Sequence, residues 1–219
     1  MLRLYGVGRS RASRNIWLLN ELGAAFDLVP VIQAYRLDDP TATDAPLNTQ
    51  SPTFLAISPA GAVPVLDDDG FVLSESLAIN LYLARKSGGP LAPKDDAEAA
   101  LMMQWALYGA TAIEPPALAI LYAHGEGRAD TDAGRREIAD NAARLGRPLA
   151  VLEGHLEAAG HMVGGRFTVA DINMAEILRY AQSEPGALAA YPAVSRWLAA
   201  CQARPAFQAM WTLRLAEPA

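Results

Sequence analysis

Residues 61–84 read GAVPVLDDDGFVLSESLAINLYLA, and this short run decides the fold of the first half of the chain. An apolar strand expected over 63–66 contains Val63 and Pro64; proline brings no N–H to a ladder, so its backbone stands free to face a ligand. A cis bond between the two would turn the neighbouring N–H and C=O outward, to pair with an extended peptide as an added strand. Asp68-Asp69-Gly70 reads as the hairpin turn into a second strand over 71–73, because glycine accepts a positive φ. Glu75 and Ser76 then fall where strand gives way to an amphipathic helix over 76–86, with Ala78, Ile79, Tyr82 and Leu83 on its buried face. The first N–H groups of such a helix have no partner inside it, and its dipole favours an anion there. Ser76 suits a carboxylate and Glu75 an ammonium, so a small peptide with both charged ends fits this segment. Taken singly, the same residues also read as a sheet edge and a plain helix start.

Upstream, RLYG at 3–6 reads as a strand. A helix over 13–22 follows, with Ile16, Leu19 and Leu22 at helical spacing and Gly23 as its stop, and then a strand over 27–31. Together they predict a parallel β-α-β unit. Pro40, Pro46, Pro52 and Pro59 make 33–58 a long loop with one short helix at 53–57, and loops of that length are functional or mobile. Between the first strand and helix lie Ser10 and Ser13, each of which reads as a helix N-cap or as a hydroxyl offered to an anion. The second reading gains weight if the anion is a thiolate. A thiol of pKa about 8.5 is only about 3% ionised at neutral pH, and lowering it by about two units needs about 2.7 kcal/mol of selective stabilisation. One hydrogen bond to a charged group supplies about 1.5–3 kcal/mol of this and a helix dipole about 0.3–1. Serine as an acyl-transfer nucleophile is disfavoured, because all histidines (His124, His155, His161) lie in the other half of the chain.

Downstream, Ser87-Gly88-Gly89-Pro90 ends the helix, and 85–94 reads as a linker between an N-terminal domain at 1–84 and a helical domain at 95–219. Helical patterns cover 95–113, with a bend expected at Pro115-Pro116, and 132–159, where Gly146 and Pro148 could break it. Thr168 and Asp171 match a capping box that starts a helix to about residue 180, and Pro192 and Pro205 each open a further helix. Trp105, Tyr108 and Ile113 form an aromatic and apolar stripe on the first long helix, either core or pocket lining.

The chain has 219 residues, 52% of them hydrophobic, a net charge of −6 and a single cysteine, Cys201. The acidic balance disfavours nucleic-acid and anionic-membrane partners. Arg9, Arg11 and Arg14 cluster near the first helix start, as an anion pocket or as solvated charge. With no long charge-free apolar run and no signal-peptide pattern, a cytoplasmic protein is expected. Histidine and cysteine spacing predicts no metal site, and no phosphate-binding glycine loop follows a strand.

LYGVGRSRASRNIWLLNELG (4–23), FLAISPAGAVPVL (54–66), ESLAINLYL (75–83), FTVADINMA (167–175) and YPAVSRWLAACQARPAF (191–207) together resemble the cytosolic glutathione S-transferases over nearly the whole length. The resemblance implies an α/β thioredoxin-like N-terminal domain, an all-α C-terminal domain and a homodimer with a detoxifying role. Glutathione would be the co-substrate and an electrophilic apolar small molecule its partner. Carried onto this sequence, it implies that Val63 pairs backbone to backbone with glutathione beside a cis Pro64, that Glu75 and Ser76 hold the γ-glutamyl end, and that Ser10 activates the thiol. Alignment in that turn leaves Ser13, Arg9 and Arg11 as alternatives. For the glycyl carboxylate, Arg36, Asn48 and Gln50 are candidates, and the electrophile pocket would lie between the domains near Trp105, Tyr108 and Ile113, with Tyr122 a further candidate. The absence of a cysteine in the turn sets the chain apart from the cysteine-type classes and nearer the serine-type, theta-like or zeta-like ones, and Ser58 stands where the family usually has asparagine. Rival expectations are a glutathione-dependent isomerase, dehalogenase or peroxidase, or a non-catalytic regulator or ligand carrier of the same fold.

Overall fold

The computed structural model describes residues 1–217. They divide into two compact units, Met1–Ser87 with the last helix, and Gly88–Arg204.

In the first unit, β1 (Leu2–Tyr5), α1 (Ala12–Leu22), β2 (Asp27–Val29), α2 (Pro52–Leu55), β3 (Val65–Asp68), β4 (Phe71–Ser74) and α3 (Ser76–Ser87) follow in order. The sheet runs β2-β1-β3-β4, with β1 parallel to β2 and antiparallel to β3, and β3 antiparallel to β4. This is the thioredoxin-like arrangement expected. Proline moves two strand boundaries from those the apolar pattern suggests: β2 ends before Pro30, short of the expected residue 31, and β3 starts after Pro64, displaced to 65–68 from the expected 63–66, because neither proline can donate to a ladder. At the hairpin, Asp69 and Gly70 both take positive φ, 52° and 94°, the twist that a two-residue turn between antiparallel strands requires.

Tyr5 and Val65, opposite each other in the ladder, pack with Val31 and Phe54 on one face of the sheet. Their ladder neighbours Leu4 and Leu66 point to the other face by the two-residue period of a strand. α1 and α3 pack on each other and on β1 and β3, burying Ile16, Leu19, Ile79 and Leu83. The buried face of α3 differs from the expected one: Ala78 is exposed and Asn80 is buried in its place. Tyr82 and Lys86 of α3 both bond the Asp68 carboxylate at the end of β3; Lys86 first and Tyr82 second hold that carboxyl below its ordinary range. This ties the C-terminal end of α3 to the sheet and so fixes the direction in which its N-terminus opens.

The long loop is pinned rather than loose. Asn48, 1% exposed, donates from Nδ2 to the Pro40 and Pro46 carbonyls at 2.9 Å each and accepts the Gln50 N–H at 2.9 Å.

In the second unit, the chain forms α4 (Asp96–Tyr108), a wide π-turn over Gly109–Ile113, α5 (Glu114–Gly125), α6 (Asp132–Ala159), α7 (Val169–Leu178), a 3-10 segment (Arg179–Ser183) and α8 (Pro192–Gln202). The interruption falls at 109–113, ahead of the prolines, which occupy the first turn of α5. There their missing N–H groups cost least. Neither Gly146 nor Pro148 breaks α6. The capping box is present: the Thr168 N–H donates to Asp171 Oδ2 at 2.9 Å and the Ala170 N–H to Thr168 Oγ1 at 3.3 Å. Asp171, fully buried, also accepts from Met162 N–H and Trp197 Nε1, at 3.0 and 2.8 Å.

The last helix, α9 (Pro205–Ala216), groups with the first unit rather than with the helical stretch expected over 95–219. Its Phe207 ring meets Trp17 of α1 edge-on at 4.9 Å between centroids, and Asn20 Nδ2 donates to the Ala206 carbonyl at 3.3 Å.

Candidate active site

The connection from β1 to α1 starts at Gly6, whose φ of 151° lies in glycine's range and whose absent Cβ would sit 2.8 Å from Ala12 Cβ. Val7 then accepts both the Ser10 N–H, at 3.1 Å, and the Ser10 hydroxyl, at 2.7 Å. Ser10 Oγ accepts in turn from the Ala12 N–H at 3.0 Å. Ser10 therefore does local capping work, yet it keeps 9% exposure, whereas Ser13, inside the first turn of α1, has none. The arginine cluster splits in the same way. Arg11 is exposed and Arg9 half-buried, while Arg14 is buried, with Nη1 donating to Ser76 Oγ at 3.1 Å.

At the other flank the Val63–Pro64 bond is cis. The ladder register ends at Val65 paired with Tyr5 and Ser74, which leaves the backbone groups of half-buried Val63 outside the sheet's own hydrogen bonding. Glu75 has φ 68°, a left-handed conformation that costs a non-glycine residue about 1–3 kcal/mol. Its carbonyl accepts the Ile79 N–H at 2.9 Å, so Glu75 is the N-cap of α3, and its carboxylate stays exposed. Ser76, the first helical residue, is 3% exposed. Together they present an exposed carboxylate beside a buried hydroxyl and a helix N-terminus, one group of each sign for a zwitterionic end.

Two residues that support this turn, Asn15 and Asn80, are not singled out by the sequence pattern. Asn15 Nδ2 donates to the Ser76 carbonyl at 2.9 Å and to Asn80 Oδ1 at 2.7 Å, and Asn80 Nδ2 donates to the Arg14 carbonyl at 3.1 Å. With Arg14 on Ser76 Oγ, a buried polar network binds the start of α1 to the start of α3. The signal was there: Asn15 and Asn80 each interrupt an otherwise apolar helix stripe, and a buried amide in such a place needs a specific partner.

Of the glycyl-carboxylate candidates, Asn48 is occupied within the loop as described, Arg36 Nη1 donates to Gln33 Oε1 at 3.3 Å, and Gln50 is exposed. On the helical unit, Trp105 packs edge-on to Tyr108 at 5.6 Å and against His155 at 4.6 Å. Tyr108 is half-buried and Tyr122 half-exposed. Ile113 is fully buried and so presents no surface to a substrate. Among the described residues no group of histidine, cysteine and acidic side chains could hold a metal ion, and no helix is long and apolar enough to cross a membrane.

The N-terminal domain model of the glutathione S-transferases matches residues 10–86 and their C-terminal domain model matches residues 99–205. Glutathione S-transferase 3 of Zea mays is 35% identical over 218 residues, spanning 94% of this chain and 91% of the relative. A solved structure of glutathione S-transferase-I bound with the ligand lactoylglutathione superposes with a TM-score of 0.80 at 27% identity, covering 97% of this chain and 99% of the other. Elongation factor 1-gamma of Equus caballus is 31% identical over 172 residues, 74% of this chain but only 36% of that protein. The chain belongs to the glutathione S-transferase family, whose members are enzymes that use glutathione as co-substrate.

Proposed function

We propose that this chain binds glutathione along the edge defined by Val63, Glu75 and Ser76, holds its thiol as thiolate beside Ser10, and adds it to an electrophilic, largely apolar small molecule. One observation carries the reading: the start of α3 offers an exposed carboxylate at a left-handed Glu75 and a buried Ser76 hydroxyl, in the same compact unit as the Ser10 turn. The γ-glutamyl carboxylate meets Ser76 and the helix N-terminus, its ammonium meets Glu75, and the cysteinyl backbone adds to Val63 as a strand. Gln50 is the remaining candidate with an exposed side chain near that loop for the glycyl end. The lactoylglutathione held by the solved relative supports glutathione and its S-substituted derivatives as ligands.

Ser10 can serve the thiol at small cost. Its hydroxyl hydrogen turns from Val7 O to the sulfur, and Val7 O keeps the Ser10 N–H at 3.1 Å, so no buried acceptor is left bare. Catalysis is then thiolate stabilisation and positioning rather than covalent chemistry by the protein. Trp105 and Tyr108 remain candidates for the electrophile, and removal of toxic electrophiles in the cytoplasm is the role this chemistry suits. The lone, buried Cys201 fits a reducing compartment.

A homodimer belongs to the same proposal. Phe71 and Val72 on edge strand β4 are 50% and 45% exposed, and Met103 and Leu107 on α4 are 56% and 60% exposed, apolar surface of the kind subunit contacts cover. In calorimetry, Glu75→Ala and Ser76→Ala each weaken glutathione binding by about 10-fold or more, the loss of a charged hydrogen bond, with the fold retained. Unchanged affinity overturns the assignment, and a monomer mass in sedimentation of the same preparation overturns the dimer.

A further inference from the structure

The turn that carries Ser10 is gripped by the far end of the chain. The Gly8 N–H donates to Glu217 Oε1 at 2.6 Å and the Arg9 N–H to Glu217 Oε2 at 2.7 Å, so one carboxylate spans two successive peptide amides. Arg214 holds the same peptide from its other side: Nη1 donates to the Gly8 carbonyl at 2.6 Å, while Arg9 Nε donates to the Arg214 carbonyl at 3.3 Å. Gly8 is glycine here for space. A Cβ on it would lie 3.1 Å from both Arg214 Cα and Glu217 Oε1. From the opposite flank Gln33 Nε2 donates to the Arg9 carbonyl at 3.2 Å. The contacts of α9 with Trp17 and Asn20 anchor the helix independently of this clamp.

We propose that Glu217, with Arg214, is a positioning group that clamps Gly8 and Arg9 so that the adjacent Ser10 hydroxyl is presented to the thiol; the proposal rests on the role of Ser10 given above. Charge alone predicts the opposite effect. A carboxylate beside a thiolate disfavours it, and this one also takes two N–H donors that would otherwise help an anion. If Glu217 acts through its charge, removing it eases thiol ionisation; if it acts by holding the turn, removing it makes ionisation harder. The sign of the change therefore separates the two.

The test follows thiolate absorbance of saturating bound glutathione against pH in the full chain, for Glu217→Ala, Gly8→Ala and Ser10→Ala. The expected result is an upward shift of the ionisation midpoint by about half a pH unit or more in Glu217→Ala and in Gly8→Ala. The double variant shifts no further than the larger single one, because both remove one clamp. An unmoved or lowered midpoint in Glu217→Ala, while Ser10→Ala raises it, overturns the clamp; this includes a variant that only loses thermal stability. An unmoved midpoint in Ser10→Ala overturns instead the role of Ser10. Should Gly8→Ala fail to fold, Glu217→Ala decides alone.

Discussion

Ser10 and Ser13 differ by three positions in sequence and by almost everything else in their surroundings. Ser10 sits in the turn with part of its surface open and its hydroxyl on a carbonyl that has a second donor, while Ser13 is sealed inside α1. Ser13→Ala should therefore leave the ionisation midpoint of bound glutathione where it is and cost only stability, about 1 kcal/mol for a buried hydroxyl. An upward shift in Ser13→Ala would assign the thiol to the other serine. Val63, Glu75 and Ser76 were legible as candidates, from the Val63-Pro64 pair in an apolar run and the acid-serine pair at a strand-to-helix junction. Their support was not. Arg14 and Asn15 reach Ser76 across 62 and 61 positions, and Glu217 reaches Gly8 across 209. No periodicity encodes pairings that distant.

Elements were legible where propensity and tertiary packing agree. The capping box starts α7 where its sequence form places it, whereas α6 runs 28 residues through buried Pro148, where packing overrides the proline's helix-breaking propensity. Where backbone donors are missing, the apolar pattern overreached, at Pro30 and Pro64. The start of α4 rests on a pairing that the sequence does not signal. Arg166 grips Glu98 with two nitrogens, at 3.0 and 2.7 Å, and donates to the Pro90 and Ala92 carbonyls at 3.1 and 2.9 Å. The Arg166 guanidinium, then the Lys94 N–H, pull the Glu98 carboxyl down to about 2. Since the folded value is depressed, this contribution is whole above the ordinary glutamate range and fades as pH falls from there toward about 2. Arg166→Ala should lower thermal stability at neutral pH and flatten its decline in acid, because the carbonyl contacts do not titrate while the ion pair does. Parallel acid profiles for the variant and the parent would contradict this. Gly164 belongs to the same site: a Cβ there would lie 2.6 Å from Glu98 Oε1.

At the scale of the whole molecule, the order of elements gave an α/β domain followed by a helical one, and the family comparison agrees. Composition could not place α9, whose amphipathic pattern looks like any other late helix; the Phe207 edge on Trp17 returns it to the first unit. That return matters for chemistry, because it brings the end of the helix to the turn of Ser10. The central claim is that glutathione lies from Ser76 to Ser10 with its sulfur at the serine hydroxyl. A crystal structure with glutathione bound measures this directly. The sulfur is predicted within about 3.5 Å of Ser10 Oγ, with the γ-glutamyl carboxylate on Ser76. A sulfur nearest to Arg9, Arg11 or Ser13, or a γ-glutamyl end away from α3, would contradict it.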